Sequence, residues 1–237
     1  CDNIYQSNLK PDVTMLMKIG FVSYCLLLII SVGGTGFGQV SPVAEDFFES
    51  GKTAYRAGDY GKSLDFFNKA IKQGMTSADA YFRRGLAYEK LGENQKALDD
   101  YSKAVDMDQN LETAFNNRGS VYYRMGDFDK AIKDYGRALE LNPSYSLAYY
   151  NRGNAYYGKG AFDRAIEDFG KALAIDPKDV DAYNNRGWAL TQKQDYDRAI
   201  EDFSRALELN SKNAIAKNNR GNAFLKKDSA DRAIKDL

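Results

Sequence analysis

Small and apolar positions return along this chain with a period of 34 residues. Glycine stands at Gly51, Gly85, Gly119, Gly153, Gly187 and Gly221. The same frame holds Ala97, Ala131, Ala165, Ala199 and Ala233, with Ser63 in the first copy, and also Ala70, Ala104, Ala138, Ala172 and Ala206. An aromatic recurs at Phe67, Tyr101, Tyr135, Phe169 and Phe203, where the last copy has Leu237. Such a register marks a repeat array, in which a unit buries its apolar face only against its neighbours. Six frames start at Ala44, Ala78, Glu112, Ser146, Val180 and Ala214, and the sixth breaks off after 24 residues.

Each frame predicts two amphipathic helices. In the fourth, Tyr149, Gly153 and Tyr156 fall on one stripe, and Phe162, Ala165, Phe169 and Ala172 on another. Gly58, Gly92, Gly126 and Gly160 sit between the two, where a helix ends in a left-handed residue. Asp59, Asp127 and Asp195 follow that turn and can cap the second helix. Asn142-Pro143 and Asp176-Pro177 stop it, because proline disfavours helical geometry in the residue before it.

These aligned Gly, Tyr, Ala, Phe and Pro positions resemble the signature of the tetratricopeptide-repeat family, over residues 44–237. The resemblance implies an all-α, right-handed superhelical solenoid of helix-turn-helix units at 44–77, 78–111, 112–145, 146–179, 180–213 and a truncated 214–237. It also implies that the first helices line a concave groove. One departure stands out. Where the family has Leu before the repeat glycine, repeats two to six have Arg84, Arg118, Arg152, Arg186 and Arg220. Asp100, Asp134, Asp168, Asp202 and Asp236 change with them, while repeat one has Ser50 and Phe66. Positions that change together are expected to touch, as a partly buried ion pair that fixes register.

Mapped by the resemblance, the groove of repeats one and two carries charge, including Glu49, Lys52, Arg83, Glu89 and Lys90. Repeats three to six instead offer amides and rings. Asn116, Asn117, Asn151, Asn154, Asn184, Asn185, Asn218, Asn219 and Asn222 lie there, with Tyr123, Tyr150, Tyr157 and Trp188. The aligned Asn117, Asn151, Asn185 and Asn219 resemble the asparagine ladder by which some family members hold an extended chain, since an amide supplies both a donor and an acceptor. The other reading is that these amides bond to the adjacent helix and never meet a ligand. The Lys residues of the family's carboxylate clamp are missing from repeats three to six.

Composition narrows the chemistry. With 33 Lys+Arg against 33 Asp+Glu, the chain has no basic stripe for nucleic acid. With no His and only Cys1 and Cys25, it lacks the commonest general base and the makings of a zinc site. No enzyme activity, cofactor or metal is expected. Carboxylate pairs such as Glu167-Asp168 recur as helix faces do.

The N-terminus reads differently. Ile19 to Val32 is a run of 14 uncharged, mostly apolar residues after Lys18, and Gly36 and Gly38 precede Gln39. A core of this length suits a bacterial secretory signal over residues 15–38 better than a spanning helix. Residues 1–14 are then upstream of the start and 39–43 a linker. The alternative is a membrane anchor at residues 19–38. The expected protein is secreted or periplasmic and scaffolds a complex by binding a protein or peptide. Two other readings stay open: a scaffold that stacks with itself through an uncapped C-terminal repeat, and a targeting module for an effector domain beyond residue 237.

Overall fold

The computed structural model describes residues 40–227 and residue 233. The expectations for residues 1–39, signal segment and anchor alike, lie outside the described residues, as does Asp236. Among the described residues no helix is long and apolar enough to cross a membrane.

Eleven helices follow one another among the described residues, with no strand between them. They are α1 (Pro42–Arg56), α2 (Tyr60–Lys72), α3 (Ala78–Lys90), α4 (Asn94–Met107), α5 (Glu112–Arg124), α6 (Phe128–Leu141), α7 (Ser146–Gly158), α8 (Phe162–Ile175), α9 (Val180–Gln192), α10 (Tyr196–Leu209) and α11 (Ala214–Lys226). The two helices of a repeat pack on each other, and each second helix packs on the first helix of the next repeat. That is an all-α solenoid. From α3 onward every first helix begins at the first residue of its frame. In repeat one the helix starts two residues earlier, because Ser41 caps it from outside, accepting from the Ala44 N–H at 3.1 Å, and Pro42 suits the first turn.

The turns follow local chemistry. Gly58, Gly92, Gly126 and Gly160 have φ between 75° and 79°, and Asp59, Asp127 and Asp195 accept from the backbone N–H three residues on. Repeat five has no glycine at the turn, so Gln194 takes a φ of 62°, a conformation unfavourable for a side chain with a Cβ. The second helices α4 and α10 end at the same frame position as the proline-stopped α6 and α8. In all four, an Asp or Asn there (Asp108, Asn142, Asp176, Asn210) accepts from the N–H two residues on. This local turn stops the helix with or without proline.

The core is built on contact between glycine and ring. A Cβ added at Gly51, Gly85, Gly119, Gly153 or Gly187 would lie 2.6–2.9 Å from Phe67, Tyr101, Tyr135, Phe169 or Phe203, each on the second helix of the same repeat. These rings are at most 1 % exposed. Alanines on both helices fill the remaining space and are fully buried, among them Ala80, Ala114, Ala148, Ala182 and Ala216. Ser63, standing for alanine in repeat one, keeps its hydroxyl satisfied by donating to the Gly51 carbonyl at 2.9 Å.

Beside each ring lies the Arg–Asp pair. Nε and Nη2 of Arg84, Arg118, Arg152 and Arg186 donate to both carboxylate oxygens of Asp100, Asp134, Asp168 and Asp202 at 2.6–2.9 Å. The four aspartates are 2–5 % exposed. Those bonds hold the Arg84, Arg152 and Arg186 guanidiniums above their usual pKa. The remaining Nη1 reaches back to the previous repeat: Arg84 to Asn68, Arg118 to Ser102 and Arg220 to Ser204. At that frame position repeats three and four carry Gly136 and Gly170, which offer no side-chain acceptor. In repeat one, where Ser50, Ala54 and Phe66 replace the larger or charged residues of later repeats, a hollow of about 650 Å³ opens.

Two expected outcomes follow. Gly153→Ala gains about 1 kcal/mol of helix propensity but drives a methyl into a ring with no free side, at ~1–3 kcal/mol; thermal unfolding should move to lower temperature. Gly136→Ser should move it upward. Its Cβ meets Arg152 Nη1 at an ordinary 3.7 Å, and a hydroxyl there restores a bond worth ~1 kcal/mol.

Candidate functional site

First helices of successive repeats also touch one another, and the residues they share form a continuous face whose contacts fall in a fixed register. At three of the five junctions between repeats, the sixth frame position of one repeat meets the fifth position of the repeat before it, 35 residues earlier. Arg83 lies over the Phe48 ring at 5.9 Å. Asn151 Nδ2 donates to Asn116 Oδ1 at 3.1 Å, and Asn185 Nδ2 to the Tyr150 hydroxyl at 3.1 Å. Two turns further along, Arg124 Nη1 bonds Glu89 Oε1 at 2.9 Å with the same separation.

The amino-terminal half of this face is charged and internally paired. Lys52 bonds Glu49 and Arg83 bonds Asp79. Glu89 receives the Tyr101 hydroxyl at 2.6 Å as well as Arg124. Burial first, and the Glu89 charge second, push the Tyr101 hydroxyl pKa upward, so it acts as a neutral donor. The sequence pattern gave no sign of this trio, whose members sit at different frame positions in two repeats.

The carboxy-terminal half is uncharged at its centre. Asn117, Asn151, Asn154, Asn185, Asn219 and Asn222 are each half-buried. Asn117 accepts from Asn116 at 3.3 Å, and Asn185 also donates to Asn154 at 2.8 Å. Asn116 and Asn184, expected on the groove surface, are instead buried at 2 % and 5 % exposure. Their frame position turns toward the neighbouring first helix, as the bond from Asn151 to Asn116 shows. Part of the amide capacity is therefore spent between repeats, while Asn151 and Asn185 bond only through Nδ2 among the described residues and keep Oδ1 for another partner.

Rings complete the face. Tyr123 is 37 % and Trp188 38 % exposed. Tyr123 packs on Phe128 and Tyr157 on Phe162, with centroids 5.5 and 5.3 Å apart, so each tyrosine is braced by the start of the second helix. Tyr150 leans on Phe169 at 5.9 Å, and burial pushes its hydroxyl pKa upward. Burial likewise raises that of Tyr157, against a hydrogen bond with Trp188. The arrangement offers flat apolar surface beside neutral donors and acceptors. Among the described residues no group of acidic or sulfur side chains could hold a metal ion.

Comparison with known proteins agrees with this architecture. Tetratricopeptide-repeat family models match residues 78–111, 116–180 and 180–213, together more than half of the chain. Among curated proteins, none matches. Solved structures similar to this chain include MamA, 29 % identical over 69 % of this chain and 96 % of that one, with a TM-score of 0.65. A tetratricopeptide repeat protein from Parabacteroides merdae is 23 % identical over 83 % of this chain and 78 % of that one, with a TM-score of 0.72. YrrB, a repeat protein with an unusual peptide-binding site, is 23 % identical over 72 % of this chain and 88 % of that one, with a TM-score of 0.64. The helix pairs, the glycine–ring contacts and the matched models lead to one assignment: the chain belongs to the tetratricopeptide-repeat family.

Proposed function

We propose that this protein is a non-enzymatic interaction module that holds an extended peptide or protein segment on the face of its first helices and so scaffolds a complex. Proteins of this family bind protein or peptide partners. The observation that carries the reading is the exposure of Trp188 and Tyr123 among half-buried asparagines with unused acceptors. Rigid rings supply contact area at little entropic cost, and amides match a peptide backbone that offers one donor and one acceptor per residue. A face already braced by Phe128 and Phe162 loses little freedom when it binds. The peptide-binding site of YrrB, on a similar fold, points the same way. The charged half, its ions already paired, contributes register and approach more than affinity.

Immobilised protein is expected to retain a protein partner from a native extract. The variant with Asn117, Asn151, Asn185 and Asn219 all changed to Ala, once circular dichroism shows native helicity, should lose it. A partner held equally by both moves binding off this face.

We also propose, from the pattern of residues 15–38, that the protein works outside the cytoplasm after removal of a signal peptide. Mass spectrometry of the exported protein should then find Gln39 at its N-terminus, and a chain retaining Ile19–Val32 would mark an anchor.

A further inference from the structure

The rungs between first helices run in a register of 35 residues: Arg83 on Phe48, Asn151 to Asn116, Asn185 to Tyr150. The next rung in that series is Asn219 to Asn184, and it is not made. Asn184 is 5 % exposed, and its Oδ1 is a fully buried oxygen with no hydrogen-bond partner among the described residues. A buried amide oxygen left unbonded is unfavourable and uncommon, so its retention calls for a reason. One helical turn from Asn184 stands Trp188, exposed and the chain's single tryptophan.

We infer that this open rung is the anchoring subsite of the groove, where the Asn184 carboxamide, buried in the free protein, turns its Oδ1 outward to accept a backbone N–H from an extended, uncharged stretch of the partner while Trp188 flanks the adjoining side chain. The inference deepens the peptide-binding reading and rests on it. The position fits a donor from outside, because in the two preceding rungs an amide N–H from the following repeat fills the equivalent place. The donor is a neutral amide and not an ammonium: Asn184, Asn219, Asn222 and Trp188 carry no charge, and the nearby Arg186–Asp202 pair is already closed on itself. A cation lodged beside neutral amides would lack a counter-charge. Asn219, the other member of this rung and half-buried, is left free to meet the neighbouring peptide group of the same ligand.

Asn184→Leu tests this, because leucine is close in volume and has no acceptor. The probe is a phage-displayed library of random dodecapeptides, selected on the wild-type protein and titrated through Trp188 fluorescence. Two signs are expected together. Removing an orphaned oxygen should leave the thermal midpoint of the free protein unchanged or higher. The selected peptides should bind the variant about 10-fold more weakly, whereas Lys133→Ala, at an exposed position on the second helix α6, should change affinity less than about twofold. A lower midpoint for Asn184→Leu would show that the rung is already closed in the free protein and would overturn the inference. Unchanged affinity of peptides that perturb Trp188 would overturn it too, while leaving the groove reading intact. A library that yields no binder, or only binders silent at Trp188, would sink the groove reading and this subsite with it.

Discussion

A benzene ring pressed against a glycine is the constraint from which the rest of this solenoid follows. With a Cβ at Gly51, Gly85, Gly119, Gly153 or Gly187 the ring of the partner helix would have nowhere to go. The helices of each pair therefore approach to a distance that only hydrogen permits, and at that distance a row of alanines suffices to fill the core. Close approach also sets the scale of the polar contacts. The guanidinium one residue before the glycine comes within bidentate reach of the carboxylate one residue before the ring. Packing at interior density makes this geometry repeat with little scatter from unit to unit.

Because the first helices are held at a constant spacing, the chemistry of their shared face can change while the backbone does not. Along one face the rungs pass from a cation over a ring, through paired asparagines, to an amide on a phenol. Tyr123 and Tyr157 on this face are supported by aromatic residues at the start of the second helices. Preorganised surface of this kind binds without first having to be ordered. A solenoid thus separates the residues that keep it folded from those that meet a partner, and the two sets occupy different frame positions.

Most of the fold was legible because the interactions that make it stay within one frame. Gly153 and Phe169, or Arg152 and Asp168, keep a constant separation, so the period exposes them directly. The caps Asp59, Asp127 and Asp195 are local and equally plain. The candidate site was harder to read. Its rungs join different frame positions of different repeats, and the 35-residue separation follows from how one unit is rotated onto the next, which no single frame contains. That is why Asn116 and Asn184 looked like surface and proved buried, and why the Glu89, Tyr101 and Arg124 trio left no trace in the pattern. Gln194 escaped for a simpler reason. The turn keeps its left-handed geometry even where the glycine that advertises it elsewhere is gone.

The Arg–Asp pair lies wholly inside one 34-residue unit, whereas the rungs straddle the seam between units. Excising or duplicating a whole repeat between Ala78 and Asn213 would therefore never strand a buried charge. The same event would join fifth and sixth frame positions that had not met before and write a new rung at the seam. A lineage of such arrays can lengthen or shorten by recombination without losing its stack, and each change edits the recognition surface at a single joint.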